Sequence, residues 1–398
     1  MVAGCLQVVR NAQSVAAVGN GVRNERCAHA RPRAARCSGG VGLREFARRT
    51  HWSAAYLSQV ERGLRPVSDA IRQAYAAALG TDPEALMPLP GDPLRIAHEW
   101  LVSDPPPVEH MASGRRVGSG LADEMERRVV ELRRLDDVVG GTTLHPVVRC
   151  DLDAARVVVR EGSHAPNTRR RLLRVVGELS QLGGWVYADA GHYRQAQRVY
   201  LDGVTAATEA GDRPLAGQLL STLSYQLANV GAPNDAALLA RTALRGATDA
   251  PPIVRALLGE RVAWASAKAG DADNARRALD AVDDDYDRRR PGDREPDWTY
   301  WLDRDEIDVM RARCAVQLGD IAEAETLLSP VIERYPADRQ REAALYRSWL
   351  AEAYARNGQD DAARRTLDRV RADAAALGSV RLKQRVAEVE ATLTQRRV

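Results

Sequence analysis

Seven histidines (His29, His51, His98, His110, His145, His164, His192) and five cysteines (Cys5, Cys27, Cys37, Cys150, Cys314) are the side chains from which metal sites and nucleophiles are most often built. Here they lie scattered. No two histidines stand at the HxxxH or HExxH spacing that turns both toward a zinc ion, and no cysteine pair has CxxC spacing. The chain has no GxSxG, and no GxxxxGK(S/T) or GxGxxG after a strand, so neither a nucleophile elbow nor a phosphate cradle is expected. Carboxylates are plentiful, but Asp136-Asp137 and Asp283-Asp284-Asp285 read as solvated helix ends and loops rather than acid–base pairs. The expectation is a protein that is not an enzyme and uses no cofactor and no metal.

The chemistry left is charge. Residues 1–88 hold 12 arginines, no lysine and 6 acidic residues, a net +6, whereas the rest of the chain is −3. Neutralising phosphates supplies most non-specific affinity for nucleic acid, so the positive charge gathers where a DNA-binding unit needs it. An arginine-rich composition in general would give the same excess, and that alternative stays open. Five cysteines without a framework point to a reducing compartment. No run approaches the ~18–20 apolar residues of a membrane span, and the first 20 residues lack the pattern of a secretory signal. A cytoplasmic protein with no membrane association is expected.

The elements that must position these charges are helical. Aromatic residues make up 5% of the chain, with Phe46 the single phenylalanine, and a core of Ala, Leu and Val favours close helix packing over a β-sandwich. Residues 1–40 mix Gly, Arg, Ala and Cys without period and read as disordered or anomalous. Residues 41–88 read as short helices separated by turns. Residues 89–118 form a Pro-rich linker with room for one helix at 94–102. From 119 to 398 the pattern is helical throughout, beginning with an apolar face at Leu121, Met125, Val129, Leu132, Leu135 and Val139.

Internal repetition is the most specific structural signal. Five times a helical pattern meets a Gly, with an Ala five residues later: Gly191/Ala196, Gly231/Ala236, Gly270/Ala275, Gly319/Ala324 and Gly358/Ala363. The glycines are 40, 39, 49 and 39 residues apart. Gly takes the left-handed conformation that ends a helix, and Ala lets the next helix approach closely. One hairpin has little interior of its own, so stacked neighbours build a continuous core, an α-solenoid. The units resemble tetratricopeptide repeats over roughly 170–398. The match is carried by Tyr187, Gly191, Ala196 and Tyr200, by Gly319, Ala324, Leu328 and Pro336, and by Leu350, Tyr354, Gly358 and Ala363. The period near 40 exceeds the usual 34, and armadillo-like repeats of similar period remain an alternative. Helices at 121–160 suit a degenerate capping unit. The acidic, Pro-containing stretch Asp283–Pro296 lengthens one interval and is expected to be a loop.

Within 43–80, Leu43–Thr50 reads as a helix followed by a turn at His51-Trp52. Ser53 can cap a helix over Ala54–Arg62, which Gly63 ends, and Ser68 can cap another running from Asp69 to Gly80. The run Tyr56-Leu57-Ser58-Gln59-Val60-Glu61-Arg62-Gly63, followed by Arg65-Pro66, resembles the XRE (Cro/repressor-type) helix-turn-helix family, a bacterial-type regulator. Ala47 takes the crossing position, with Trp52, Leu57 and Val60 the apolar residues that fix the angle. The resemblance implies that Ala54–Arg62 is a recognition helix presenting Ser53, Ala54, Ala55, Ser58, Gln59 and Arg62. Gln59 then suits adenine and the two alanines suit thymine methyls, while Arg62 and Arg65 grip phosphate. Two departures stand out. His51 occupies a turn position where Gly is usual, and residues 20–40, broken by Pro32, offer no helix to close the domain. That segment reads as a mistranslated or frame-altered start, or as diverged beyond function.

The fold class expected is therefore all-α: a small helix-turn-helix domain followed by a tetratricopeptide-like solenoid. The functional expectation is a homodimeric, sequence-specific transcription regulator bound to double-stranded DNA. Its repeat groove would bind a peptide, a protein or a small ligand, or serve dimerisation. The alternative is an interaction scaffold with a vestigial helix-turn-helix. Trp185, Trp264, Trp298, Trp301 and Trp349 are either groove anchors or packing between helices, and periodicity by itself assigns no groove residue.

Overall fold

The computed structural model describes Arg36 and residues 41–62, 64–65, 67–79, 92–102, 115–139, 141–247, 249–334, 340–377 and 380–395. The expectation for residues 1–40 lies outside these apart from Arg36, and Gly63, Pro66, Gly80 and Pro336 lie outside them as well. The chain divides into two compact units, Met1–Leu89 and Pro90–Val398.

From residue 41 on, the described residues of the first unit form the helices α1 (Leu43–Arg49), α2 (Ala54–Glu61) and α3 (Asp69–Leu79). Their apolar residues converge on one small core of Phe46, Leu57, Val60, Ile71 and Tyr75, each without solvent exposure. Phe46 and Tyr75 pack ring to ring at 4.4 Å. Both expected caps form. The Ser53 hydroxyl accepts from the Tyr56 N–H at 3.2 Å and the Ser68 hydroxyl from the Ile71 N–H at 3.4 Å, each satisfying an orphan donor of its helix.

The second unit opens with α4 (Pro93–Val102), inside the Pro-dense segment. It is packed rather than free: Ala97 and Trp100 are buried against the helices that follow. Then come α5 (Ser119–Val138), α6 (Gly141–Glu161) and five hairpins. These are α7/α8 (Pro166–Asp189, Tyr193–Glu209), α9/α10 (Arg213–Asn229, Pro233–Gly246), α11/α12 (Pro252–Lys268, Ala272–Asp287), α13/α14 (Arg304–Leu318, Ile321–Arg334) and α15/α16 (Gln340–Arg356, Asp360–Leu377). Helix α17 (Val380–Gln395) packs on the last hairpin. Apart from a two-residue parallel pairing of Arg115–Arg116 with Gly162–Ser163, the described residues hold only helices and turns.

Repetition dictates this stack. All five repeat glycines have positive φ, from 77° to 101°, a region costly for any residue with a Cβ. At each turn the backbone closes a helix-ending motif, as where the Asp320 N–H bonds the Ala315 carbonyl at 2.9 Å. All five alanines at the +5 position are completely buried. Each is the fourth residue of the second helix of its hairpin, and its burial leaves a longer side chain no solvent to extend into.

The 49-residue interval has a structural cause, and it corrects one expectation. Asp283–Asp287 are not loop: α12 continues to Asp287, because Val282 and Tyr286 extend its apolar face while Asp285 is buried and paired with Arg288 at 2.7 Å. The loop follows, ending in a single 3-10 turn, Asp297–Thr299, that reaches back to α5. Asp297 pairs with Arg133 at 2.7 Å and Arg134 at 3.0 Å, and the Tyr300 hydroxyl donates to Asp137. Asp137, Asp283 and Asp285 are thus structural partners of arginines and a tyrosine, whereas Asp284 is solvated.

If the buried alanines set the hairpin spacing, Ala324→Leu should lower the stability of the second unit by about 1–3 kcal/mol through overpacking. Ala322→Leu, on the exposed side of the same helix, should stay within about 0.5 kcal/mol. Thermal unfolding of the two variants makes the comparison.

Candidate functional site

Two places bring polar groups together. The first is the outer face of α2. Leu57 and Val60 point inward and are fully buried, which turns the residues between them outward. Ser53, Ala55, Arg62 and Arg65 are exposed, whereas Ala54, Ser58 and Gln59 are partly so. Arg65 organises this face. Its Nε donates to the Gln59 side-chain carbonyl at 2.6 Å, and its guanidinium lies 4.9 Å from the Tyr56 ring centre. Tyr56 in turn stacks on Trp52 at 4.9 Å. Gln59 is therefore held in one orientation, with its amide N–H groups left as donors. Arg62, the residue closing the helix, reaches back to the Ser58 carbonyl at 3.3 Å.

Behind that face is a group that no sequence pattern singles out. Arg36 is helical and buried, and it clamps Glu61 with two hydrogen bonds of 2.7 and 2.8 Å. A third bond of 2.6 Å joins it to the Val41 carbonyl, and the Tyr75 hydroxyl donates to Glu61 at 2.9 Å. Burial and the adjacent Glu61 carboxylate push the Tyr75 phenol far above its ordinary range. Sequence reading missed Arg36 because the carboxylate it clamps lies 25 residues away. Its signal was only the acidic Glu61 on an otherwise buried stripe.

The second place is the interior of the helical stack. The residue six positions before each repeat glycine is Trp185, Tyr225, Trp264, Arg313 or Glu352. The first four form a ladder along the inner helices, with ring centres 6.1 Å apart for Trp185–Tyr225 and 6.4 Å for Tyr225–Trp264, and Arg313 at 4.5 Å from Trp264. Periodicity does pick out residues of the inner helices, once the glycines set the register. Two cavities of about 200 and 430 Å³ open here and share Trp185, Tyr225, Arg313, Trp349 and Arg381 as a common wall. Trp298 and Trp301, from the long loop, line the smaller one. Trp264 is instead sealed beneath Arg313 and Trp349. The tryptophans thus divide between lining and packing.

Electrostatically this interior is unusual. Burial would push the Tyr225 phenol up, but the guanidiniums of Arg313, Arg381 and Arg261 outweigh it and bring it down to about 7. Glu260 goes the other way: burial, only partly opposed by Arg261, pushes its carboxyl up to about 8. Among the described residues no cluster of His, Cys, Asp and Glu is placed to hold a metal ion, and no helix is long and apolar enough to cross a membrane.

Removing the Arg36 guanidinium strands the Glu61 carboxylate in the core. Arg36→Ala should cost the first unit roughly 3–5 kcal/mol in chemical denaturation, whereas Arg62→Ala on the exposed face should cost little.

Comparison with known proteins bears on both places. Residues 24–89 match the model of a helix-turn-helix domain, and residues 347–374, which span the α15/α16 turn, match that of a tetratricopeptide repeat. No curated protein matches the chain. The helix-turn-helix match begins upstream of Arg36 and so takes in the segment whose sequence offered no obvious first helix. The chain joins a helix-turn-helix domain to tetratricopeptide-type helical hairpins.

Proposed function

We propose that this protein is a sequence-specific DNA-binding transcription regulator, working as a homodimer, whose repeat unit binds a ligand. Residues 41–88 form the DNA-binding part and 119–398 the sensing part. The observation that carries the reading is the α2 face: a helix anchored by buried Leu57 and Val60 that presents Ser58 and Gln59 beside Arg62 and Arg65. In the major groove Gln59 would pair with adenine, Ala54 and Ala55 would meet thymine methyls, and Ser53 and Ser58 would bond base edges or phosphate. Arg62 and Arg65 would hold phosphates. The net +6 of residues 1–88 fits that task. A two-fold dimer would place its recognition helices about 34 Å apart, one helical turn of DNA. A ligand in the repeat chamber regulates only if it binds the DNA-competent and incompetent states with different affinity.

DNA selected from a random pool by the full-length chain tests this. Gln59→Ala should lose about 1–3 kcal/mol of discrimination at one base pair. Arg62→Ala should weaken binding to all sequences alike and lower the salt slope by about 1. Absent or salt-insensitive binding would leave an interaction scaffold with a vestigial helix-turn-helix.

A further inference from the structure

The chamber shared by the two cavities brings three arginines together on one tyrosine, with Asp189, Glu306 and Glu342 in its walls but no carboxylate paired directly with any of the three among the described residues. Arg261 and Arg313 are 6% and 7% exposed, and the Nε of each has no hydrogen-bond partner. Among the described residues neither they nor Arg381 make an ion pair with a carboxylate. Their common neighbour is Tyr225. Its oxygen accepts from Arg313 at 2.8 Å and from Arg381 at 2.9 Å, while Arg261 lies 4.7 Å from its ring centre. Those two bonds occupy both lone pairs of a neutral phenol, and the phenol's own proton finds no acceptor among the described residues. Cations held in a core without a direct ion pair are costly, and a site that turns two buried arginines and a third at its edge toward one phenol is arranged for an anion.

The surroundings narrow the anion. Trp185 and Trp349 supply flat apolar walls beside the arginines, with Arg381 at 5.4 Å from the one and Arg313 at 4.8 Å from the other. Carboxylates also border the space. Tyr346 bonds Glu306, and Arg385 and Arg356 hold Glu352. Their negative charge disfavours a dianion such as phosphate and favours a singly charged, planar group that a guanidinium fork can bind.

We propose that the Arg261–Arg313–Arg381 cluster around Tyr225 binds the carboxylate of an aromatic acid, whose ring lies between Trp185 and Trp349. This rests on the reading that the repeat unit binds a ligand, and it names the ligand's chemistry. The carboxylate accepts hydrogen bonds from the Tyr225 hydroxyl and from guanidinium N–H groups. The phenol, held near 7 by the guanidiniums, supplies part of the negative charge facing them. The charged groups facing it are Arg261 and Glu260 from α11, Arg313 and Glu306 from α13, Glu342 from α15, Arg381 from α17 and Asp189 from α7, and Glu260 is largely neutral at pH 7. An incoming carboxylate replaces the phenolate, so binding takes up a proton and weakens as pH rises above neutrality.

Tryptophan fluorescence of the full-length protein, titrated with phenylpropionate and with phenylpropanol, tests the proposal. The acid should bind saturably, and the alcohol at least about tenfold more weakly. Arg381→Gln, at the partly exposed edge, should weaken the acid about tenfold or more and leave the alcohol unchanged. Should that variant lose helicity, the wild-type protein still decides: in slightly alkaline buffer the acid should diminish tyrosinate absorbance, and Tyr225→Phe should abolish that change. A tripeptide ending in Phe, as free acid and as amide, separates a peptide C-terminus from a free aromatic acid. Binding of the free tripeptide alone assigns the carboxylate to a peptide, and still supports the site. Equal binding of acid and alcohol, or binding of no acid, overturns the proposal. A gel shift on the same preparation keeps the two readings apart. Acid binding without DNA binding sinks the regulator alone, whereas DNA binding without preference for the acid sinks this inference alone.

Discussion

The second unit depends on how closely two helices can approach at five alanines. Each is wholly buried as the fourth residue of the second helix of its hairpin, five residues past a glycine whose positive φ turns the chain. That spacing repeats with little drift, so the inner helices stand in register and residues at equivalent positions stack along them. The chamber is a consequence. Trp185, Tyr225 and Trp264 form a ladder because each lies six residues before its glycine, and the alanine contacts hold the helices bearing them at constant separation. The chemistry of the interior is thus written in the hairpin register rather than in any local motif.

Where the register breaks, the structure adds something. The long interval before α13 carries a loop that returns to α5 and is fastened there by Asp297 to Arg133 and Arg134 and by Tyr300 to Asp137. Those bonds bring Trp298 and Trp301 to the mouth of the smaller cavity. Closure of one side of the chamber therefore comes from an insertion, and charge pairing rather than hydrophobic burial alone positions it. In the first unit a comparable part falls to Arg36, whose hold on Glu61 ties the chain ahead of α1 to the end of α2.

Much of this was legible in the residues. The glycine–alanine pairs identify hairpins and their boundaries, because both residue types act through local sterics that survive out of context. The run from Tyr56 to Arg65 likewise marks a helix-turn-helix, and Ser53 and Ser68 cap as their positions require. What was not legible depends on partners far apart in the chain. Arg36 reaches Glu61 across 25 residues, and Arg313 and Arg381 meet on Tyr225 across 88 and 156. The aromatic ladder falls between these cases. Its position is periodic, but Arg313 and Glu352 replace the ring in the last two hairpins and hide the pattern. Asp283 and Asp285 look solvated in the sequence because their arginines are known only from the fold, whereas Asp284 is solvated as expected.

The central claim is that α2 reads DNA from a two-fold pair of chains. Hydroxyl-radical footprinting of the full-length protein on its selected site tests it most directly. The account requires two protected patches on one face of the duplex, related by symmetry and one helical turn apart. Uniform weak protection, indifferent to sequence, would contradict it.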